Sequence, residues 1–177
     1  MITSHVLPTG RKCLVAMALV LASLAAGQVL AQSVDLPNRK DPLAGITTAG
    51  QPNAAQLAAA AQSGFKAVID LRGVSESRGM DDERATVEKL GMSYITLPVE
   101  GSDGVTFANA TALDKLLAGV EGPVLIHCAS GNRVGALLAL RSTLEGADAE
   151  AALALGVASG LTGLKPTVEQ KLAQGHD

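Results

Sequence analysis

The segment VLIHCASGNR, from Val124 to Arg133, carries the strongest structural signal in the sequence. Its first part is an apolar run typical of a buried strand, and an Ala- and Leu-rich helix is predicted from Arg133 to Leu144. Gly131 lies between them and can adopt the positive φ that a tight turn requires. Backbone N–H groups in such a loop point inward, and the helix N-terminus adds a partial positive charge. The segment therefore predicts an anion-binding loop at the carboxyl end of a strand.

Cys128 lies on the floor of this loop, where the field that binds an anion also stabilises a thiolate. We therefore expect Cys128 to be a nucleophile and Arg133 to hold two oxygens of the bound group with its planar guanidinium. Ser130 is expected to donate a hydrogen bond to the thiolate or the oxyanion, and His127 to orient the loop. The remaining substrate contacts are assigned to Ala129, Gly131 and Asn132. The alternative is a buried, inert cysteine, against which the glycine, the arginine and the helix start all argue.

Strand and helix signals alternate along the rest of the chain, with caps and glycine stops at the helix ends. Predicted strands are 46–48, 67–71, 93–97 and 124–127, and predicted helices are 54–62, 82–90, 109–117, 133–144, 149–158 and 167–173. Helices between successive strands predict an α/β fold of three layers, in which a mainly parallel central sheet is flanked by helices. The reactive crevice of such a sheet lies beyond the carboxyl ends of its strands, and this is where Cys128 falls.

The first 31 residues have the three-part pattern of a secretory signal peptide. Arg11 and Lys12 precede an apolar run from Cys13 to about Ala26, and Val29-Leu30-Ala31 resembles a cleavage site. An uncleaved anchor is the alternative, but the run is shorter than the ~20 residues that a membrane span needs. We expect a signal peptide at 1–31, a polar leader with little regular structure at 32–44, and a catalytic domain at 45–177. The mature protein is expected to be exported to the periplasm and to have no membrane segment.

Composition narrows the classes of function. Removal of residues 1–31 takes away two basic residues and no acidic ones, so the net charge falls from −3 to −5. This acidic balance, with one Tyr, two Phe and no Trp, disfavours nucleic acid as a partner. Cys128 would be the single cysteine of the mature chain, which is typical of a reactive thiol or an intermolecular disulfide. No group of Cys and His has metal-ligand spacing, and we expect neither a metal nor another cofactor.

The loop HCASGNR resembles the signature of cysteine-dependent protein tyrosine and dual-specificity phosphatases. More narrowly, the chain resembles the small bacterial tyrosine-phosphatase-like domains that also occur fused to a β-lactamase-like hydrolase. Three further motifs of that group are matched in order by Gly50-Gln51-Pro52, Val68 to Arg72, and Pro98-Val99. The resemblance spans about Ile46 to Leu164. It implies a tyrosine- or dual-specificity-phosphatase-like fold, hydrolysis of phosphomonoesters through a phosphocysteine on Cys128, and a phosphorylated small molecule or phosphoprotein as substrate.

The resemblance also places the general acid on the loop from Glu100 to Gly104, where Asp103 is the first candidate and Glu100 the second. The glycines of this loop are expected to let it close over the substrate. A solvated turn aspartate is the alternative for Asp103. Asp70 is expected to support Arg133 or Arg72, and Arg72 to form a structural ion pair.

Two departures from the phosphatase signature leave other functions open. Only four residues separate Cys128 from Arg133 instead of five, a spacing that resembles both the bacterial group and the rhodanese sulfurtransferases, and Val134 replaces the usual Ser or Thr. The alternatives are a sulfurtransferase with a persulfide on Cys128 and a non-catalytic phosphate-binding module. His127 directly before the cysteine, together with the lack of tryptophan, favours a phosphatase. Nothing in the sequence indicates an oligomeric state.

Overall fold

The structure, a computed structural model, describes residues 34–175. The strands are β1 (Lys40–Leu43), β2 (Ile46–Ala49), β3 (Ala67–Asp70), β4 (Ser93–Thr96) and β5 (Val124–His127). The helices are α1 (Ala54–Gln62), α2 (Glu83–Lys89), α3 (Phe107–Ala118), α4 (Asn132–Leu144), α5 (Ala149–Ala158) and α6 (Lys165–Gln174). The strands form one five-stranded sheet in the order β1-β2-β5-β3-β4. Among the strands of residues 34–175, only β1 and β2 pair antiparallel, so the predicted α/β fold with a mainly parallel sheet is confirmed.

The central position of β5 brings three strand ends together. His127, at its carboxyl end, is in register with Ala49 of β2 on one side and Asp70 of β3 on the other. Because parallel strands end at the same edge, the residues that follow β2, β3 and β5 converge at one place. Cys128 is the residue that follows β5.

Helices cover both faces of the sheet. On one face, α1 and α2 contribute Leu57 and Val87 to a core that contains Val68 and Leu125 of the strands. On the other face, α3 and α4 pack on Ile69 and Ile126 and contribute Leu113, Leu137 and Leu138. Residues 133–140 of α4 are all buried, because α5 and α6 cover its outer side. This accounts for the almost continuous apolar sequence of α4.

Residues 34–43 are more ordered than the sequence predicted. Val34 and Leu36 are 6% and 4% exposed and belong to the core, and Lys40–Leu43 form β1. The prediction of a leader with little regular structure is therefore wrong for this part. Pro42 concealed the strand, but β1 is an edge strand, where a missing N–H is tolerated.

Two helices begin two residues earlier than predicted. Helix α3 begins at Phe107 because the Thr106 side chain accepts a hydrogen bond from the Asn109 N–H and caps it. Helix α6 begins at Lys165, with a proline in its first turn. Within residues 34–175, no helix is both long and apolar enough to cross a membrane. The predicted signal peptide lies outside the described residues.

Candidate active site

The Cys128 thiol lies against the first turn of α4. Cys128 is only 1% exposed, and its backbone N–H donates a hydrogen bond to Ala49 O at 3.4 Å. Gly131 is the N-cap of α4 with a φ of 90°, and its N–H donates to Cys128 Sγ at 3.1 Å. Such a donor at the positive end of a helix favours a thiolate as its acceptor. The predicted cradle is therefore built from the backbone, at the position that the sequence indicated.

Arg133 is fixed beside the thiol by a carboxylate. Its Nη2 donates to Glu76 Oε2 at 2.8 Å, its Nη1 contacts Glu76 Oε1, and Nη1 also donates to Val99 O at 2.9 Å. The Glu76 carboxylate is the main cause that raises the pKa of Arg133; burial acts in the opposite direction, and the neighbouring Cys128 raises the pKa further. The guanidinium is thus a permanent, oriented positive charge in contact with the loop.

Glu76 connects Arg133 to the loop that follows β3. Its carboxylate accepts from Arg72 Nε at 3.2 Å and from the Gly73 N–H at 2.8 Å. The hydrogen bond from Arg133 is the main cause that lowers the pKa of Glu76 to about 2. Glu76 therefore remains ionised at every ordinary pH, and the predicted ion pair of Arg72 is confirmed.

The Asp70 carboxylate, which was expected to support Arg133 or Arg72, forms its ion pair with Arg78. Its Oδ2 accepts from Arg78 Nε and from Tyr94 OH, both at 2.7 Å, and its Oδ1 accepts from the Arg72 backbone N–H at 2.8 Å. The Asp70 carboxylate and burial both raise the pKa of Tyr94, burial being the larger cause. Of the two expected arginines, Asp70 therefore binds Arg72 only at its backbone N–H, and Arg133 is bound by Glu76 instead.

His127 lies in a buried pocket beneath the loop. Its Nε2 is 3.1 Å from Glu83 Oε1 and 4.0 Å from Asp70 Oδ1, and all three side chains are 0% exposed. The first distance is that of a hydrogen bond, yet neither ring nitrogen nor Glu83 Oε1 has a well-aligned partner among the described residues. A small rotation of the imidazole ring would align Nε2 with Glu83 Oε1.

The Gly50-Gln51-Pro52 motif runs alongside the loop. The Gln51 N–H donates to Ala129 O at 3.2 Å, and a Cβ on Gly50 would come within 3.0 Å of the same oxygen. The Gln51 side chain accepts from Arg72 Nη1 at 2.7 Å and donates to Glu83 Oε2 at 3.1 Å. Glycine at position 50 therefore permits the close approach to the Ala129 backbone. The Gln51 amide, which can both donate and accept, bridges the charged side chains of Arg72 and Glu83.

Asp70, Glu83 and His127 are also the one set of potential metal ligands that the described residues bring together, with ligand atoms within 4.8 Å of one another. The Asp70 oxygens already accept three hydrogen bonds, one of them from a guanidinium that would repel a cation. The donor set fits a hydrogen-bonded cluster better than a metal centre.

Two of the predicted substrate contacts, Ser130 and Asn132, do not bind the Cys128 thiol through their side chains. Ser130 is exposed, and the contact with Sγ comes from the Gly131 backbone rather than from the Ser130 hydroxyl. Asn132 Oδ1 accepts from the N–H groups of Thr162 and Leu164, at 2.8 and 3.2 Å. Asn132 therefore anchors the connection between α5 and α6, while its backbone begins α4.

The two candidate acids occupy a closed turn. Asp103 is exposed, and the turn around it is held by the hydrogen bond from the Gly104 N–H to Glu100 O at 2.9 Å. The Glu100 side chain accepts from the Val74 N–H at 3.2 Å. Among the described residues, no hydrogen bond joins either acid to Cys128. The turn is nevertheless next to the site, because Val99 O binds Arg133.

Residues 43–145 match the model of the family described as the phosphatase-like domain of beta-lactamase hydrolase-like proteins. The chain belongs to this family. Beta-lactamase hydrolase-like proteins of Xylella fastidiosa and Agrobacterium fabrum are each 35% identical to it over 104 residues, which are 57% of this chain and 24% of theirs. This member of the family thus spans about a quarter of the length of those relatives.

Solved structures agree with this assignment. TpbA of Pseudomonas aeruginosa has a TM-score of 0.59 and 25% identity, covering 79% of this chain and 86% of TpbA. A candidate phosphatase of Neisseria meningitidis has a TM-score of 0.64 and 21% identity, covering 74% of this chain and 96% of its own. The family member described here therefore has the tyrosine- and dual-specificity-phosphatase-like fold that the resemblance implied.

Two residues of the site, Glu76 and Glu83, were not found from the sequence, and Gln51 was found only as part of a motif without a role. Glu76 lies in a polar loop without periodicity, so no local pattern indicates its partner. Glu83 lies at the start of the predicted helix 82–90, where the helix dipole alone accounts for an acidic side chain. Asp82 does cap α2, but Glu83 lies one turn before the buried Val87 and shares its inward face. That helical spacing is the signal that could have identified Glu83.

Proposed function

We propose that the chain is a cysteine-dependent phosphatase that hydrolyses phosphomonoesters through a phosphocysteine on Cys128. The hydrogen bond from the Gly131 N–H to Cys128 Sγ, at 3.1 Å, is the observation that carries the proposal. A cysteine that only fills the core needs neither this donor at a helix N-terminus nor an oriented arginine beside it. Membership of a phosphatase-like family supports the same chemistry.

The mechanism has two steps. The Cys128 thiolate attacks phosphorus, an S–P bond forms, and the bond from phosphorus to the leaving oxygen breaks as that oxygen takes a proton. The loop N–H groups and Arg133 hold the non-bridging oxygens throughout. Water then attacks phosphorus and gives a proton to the carboxylate left by the first step, so the S–P bond breaks, inorganic phosphate leaves, and both the thiolate and the acid are restored. Asp103 is the proposed proton donor and Glu100 the alternative.

The proposed substrate is a phosphorylated small molecule or a phosphoprotein. A second structure of TpbA, whose sequence is 26% identical to this chain, is a complex with pTyr. This supports an aryl phosphate as the first substrate to test. We also propose that the protein acts outside the cytoplasm, after removal of residues 1–31.

The test compares the purified protein with Cys128→Ser, Asp103→Asn and Glu100→Gln variants, with a reductant present and an aryl phosphate as substrate. We expect phosphate release by the wild type and none by Cys128→Ser. The variant of the true acid should lose about 10²- to 10⁴-fold in kcat, and the other should keep most of it. Phosphate release that persists in Cys128→Ser would refute the nucleophile.

A rhodanese-type sulfurtransferase is the second candidate function. Two observations favour it: only four residues separate Cys128 from Arg133, and Val134 is fully buried, where a phosphatase hydroxyl would assist release of the thiolate. In this reaction Cys128 takes the outer sulfur of thiosulfate and releases sulfite, and the persulfide then passes that sulfur to cyanide. Thiocyanate formation without phosphate release would assign the chain to this class. Binding of phosphate without either reaction would leave a phosphate-binding module.

A further inference from the structure

Glu83 is a carboxylate in the protein interior without a cationic partner of its own. Its side chain is 0% exposed, and within residues 34–175 no lysine or arginine forms an ion pair with it. Its Oε2 accepts from Gln51, and its Oε1 lies 3.1 Å from His127 Nε2. An ionised carboxylate in such a place is costly unless a proton-bearing group faces it.

Within residues 34–175, His127 also lacks a well-aligned hydrogen-bond partner. It is 0% exposed, and neither of its ring nitrogens has a well-aligned partner among the described residues. The other acid nearby, Asp70, is 4.0 Å from Nε2 and already binds Arg78 and Tyr94. One proton held between Glu83 Oε1 and His127 Nε2 satisfies both of these atoms at once.

The contact lies at the junction of two connections to the Cys128 loop. His127 immediately precedes Cys128, so its ring fixes the point where the strand becomes the loop. From the other oxygen of Glu83, Gln51 leads to Arg72, Arg72 to Glu76, and Glu76 to Arg133. The two ends of the loop, His127 and Arg133, are therefore joined by an unbroken series of polar contacts.

We propose that Glu83 is a positioning residue that shares one proton with His127 and so fixes the start of the Cys128 loop. Through Gln51 the same side chain also steadies the groups on which Arg133 rests. The inference rests on the proposed role of Cys128 as a nucleophile, but it concerns the geometry of the loop and not the reaction that follows.

The test measures the rate at which iodoacetamide alkylates Cys128 at neutral pH, in a full chain carrying Cys13→Ser so that one thiol remains. Glu83→Gln keeps an acceptor for Gln51 and supplies an N–H towards His127. Glu83→Met fills a similar volume without polar groups. Glu88→Gln is the matched control, because Glu88 lies exposed on the same helix.

We expect Glu83→Met to slow alkylation about tenfold or more, since the loop loses the alignment of the Gly131 N–H with Sγ. Its Tm should fall, because His127 and Gln51 would each lose a buried hydrogen-bond partner, and alkylation is therefore compared at a temperature at which both proteins are folded. Glu83→Gln and Glu88→Gln should keep most of the wild-type rate. Alkylation does not depend on turnover, so this result stands even if no phosphate is released by the wild type.

Three results would overturn the proposal. The first is a wild-type alkylation rate in Glu83→Met, and the second is an equal loss in Glu83→Gln and Glu83→Met. The third is a stoichiometric metal ion in the purified protein that Glu83→Met lacks, because a metal would then occupy the place of the shared proton.

Discussion

At the scale of single residues, the pair formed by Arg133 and Glu76 controls both the charge and the direction of the guanidinium. The two residues are 57 positions apart, and Glu76 binds Arg72 through the same carboxylate. A fork of this kind fixes the plane of the arginine, which a lysine could not reproduce. The pair also links the stability of the fold to pH.

We expect Glu76→Gln to lower the free energy of unfolding by about 1–3 kcal/mol at neutral pH. This is less than the full pKa shift would give, because 29% of the Glu76 side chain is exposed and solvent screens the ion pair. The pKa of Glu76 is lowered from 4.5 to about 2, so its contribution is complete above pH 4.5 and is lost as the pH falls towards about 2. Urea unfolding of both proteins at neutral and acidic pH measures the difference. Glu88→Gln, which alters an exposed pair with Arg84, serves as the control. A difference between wild type and Glu76→Gln that stays constant into acid would contradict this linkage.

The site residues that the sequence revealed are those adjacent in the chain. His127, Cys128 and Arg133 belong to one strand–loop–helix segment, so local pattern and chemistry identify them together. Glu76 and Glu83 reach the same place from other elements, and a single sequence carries no record of such distant contacts. The role of Asp103 stays a prediction, since its exposed side chain gives no contact that defines it.

At the scale of elements, the close approach of α4 and α5 depends on glycine. A Cβ on Gly135 would lie 2.6 Å from Gly156 O and closer still to the backbone nitrogen of Leu161. A Cβ on Gly156 would lie 2.9 Å from the Cβ of Ala139. These glycines let α5 cover the helix whose N-terminus carries the anion-binding loop.

We expect Gly135→Ala to destabilise the fold by about 1–3 kcal/mol through overpacking, although alanine is the better helix former by ~0.5–1 kcal/mol. Gly119→Ala is the matched control, because its φ is −88° and its nearest new contact would be an ordinary 3.5 Å. Thermal unfolding followed by circular dichroism compares the two variants. Equal melting temperatures for both would show that α4 and α5 have room to separate.

The elements themselves were predicted well where periodicity and caps agree. The strand 124–127 and the helix 149–158 have the predicted bounds, and the predicted helix 133–144 begins one residue earlier, at Asn132. Strand β1 was missed because a lysine, an aspartate and a proline precede its single leucine. Pairing with β2 and the burial of Val34 and Leu36 decide its structure, and these are tertiary effects that local propensity does not contain.

At the scale of the whole molecule, the proposed export would place Cys128 in an oxidising compartment, whereas a thiolate nucleophile must stay reduced. The proposed mature chain contains one cysteine, so no internal disulfide can protect or consume Cys128. An oxidising compartment converts reactive thiolates to sulfenic acids or mixed disulfides. The burial of Cys128, which is 1% exposed, limits this reaction to molecules that enter the anion loop.

We therefore expect activity to depend on reductant. Protein exported from a bacterial host should begin at Gln32 by intact mass, which tests the proposed cleavage after Ala31. Treatment with peroxide and then glutathione should add one glutathione to Cys128 and abolish phosphate release, and dithiothreitol should restore both the mass and the rate. Inorganic phosphate, present before the peroxide, should slow the loss if the anion loop is the route of entry. Full activity after the adduct has formed would contradict a thiolate mechanism, because a sulfur in a disulfide cannot attack phosphorus.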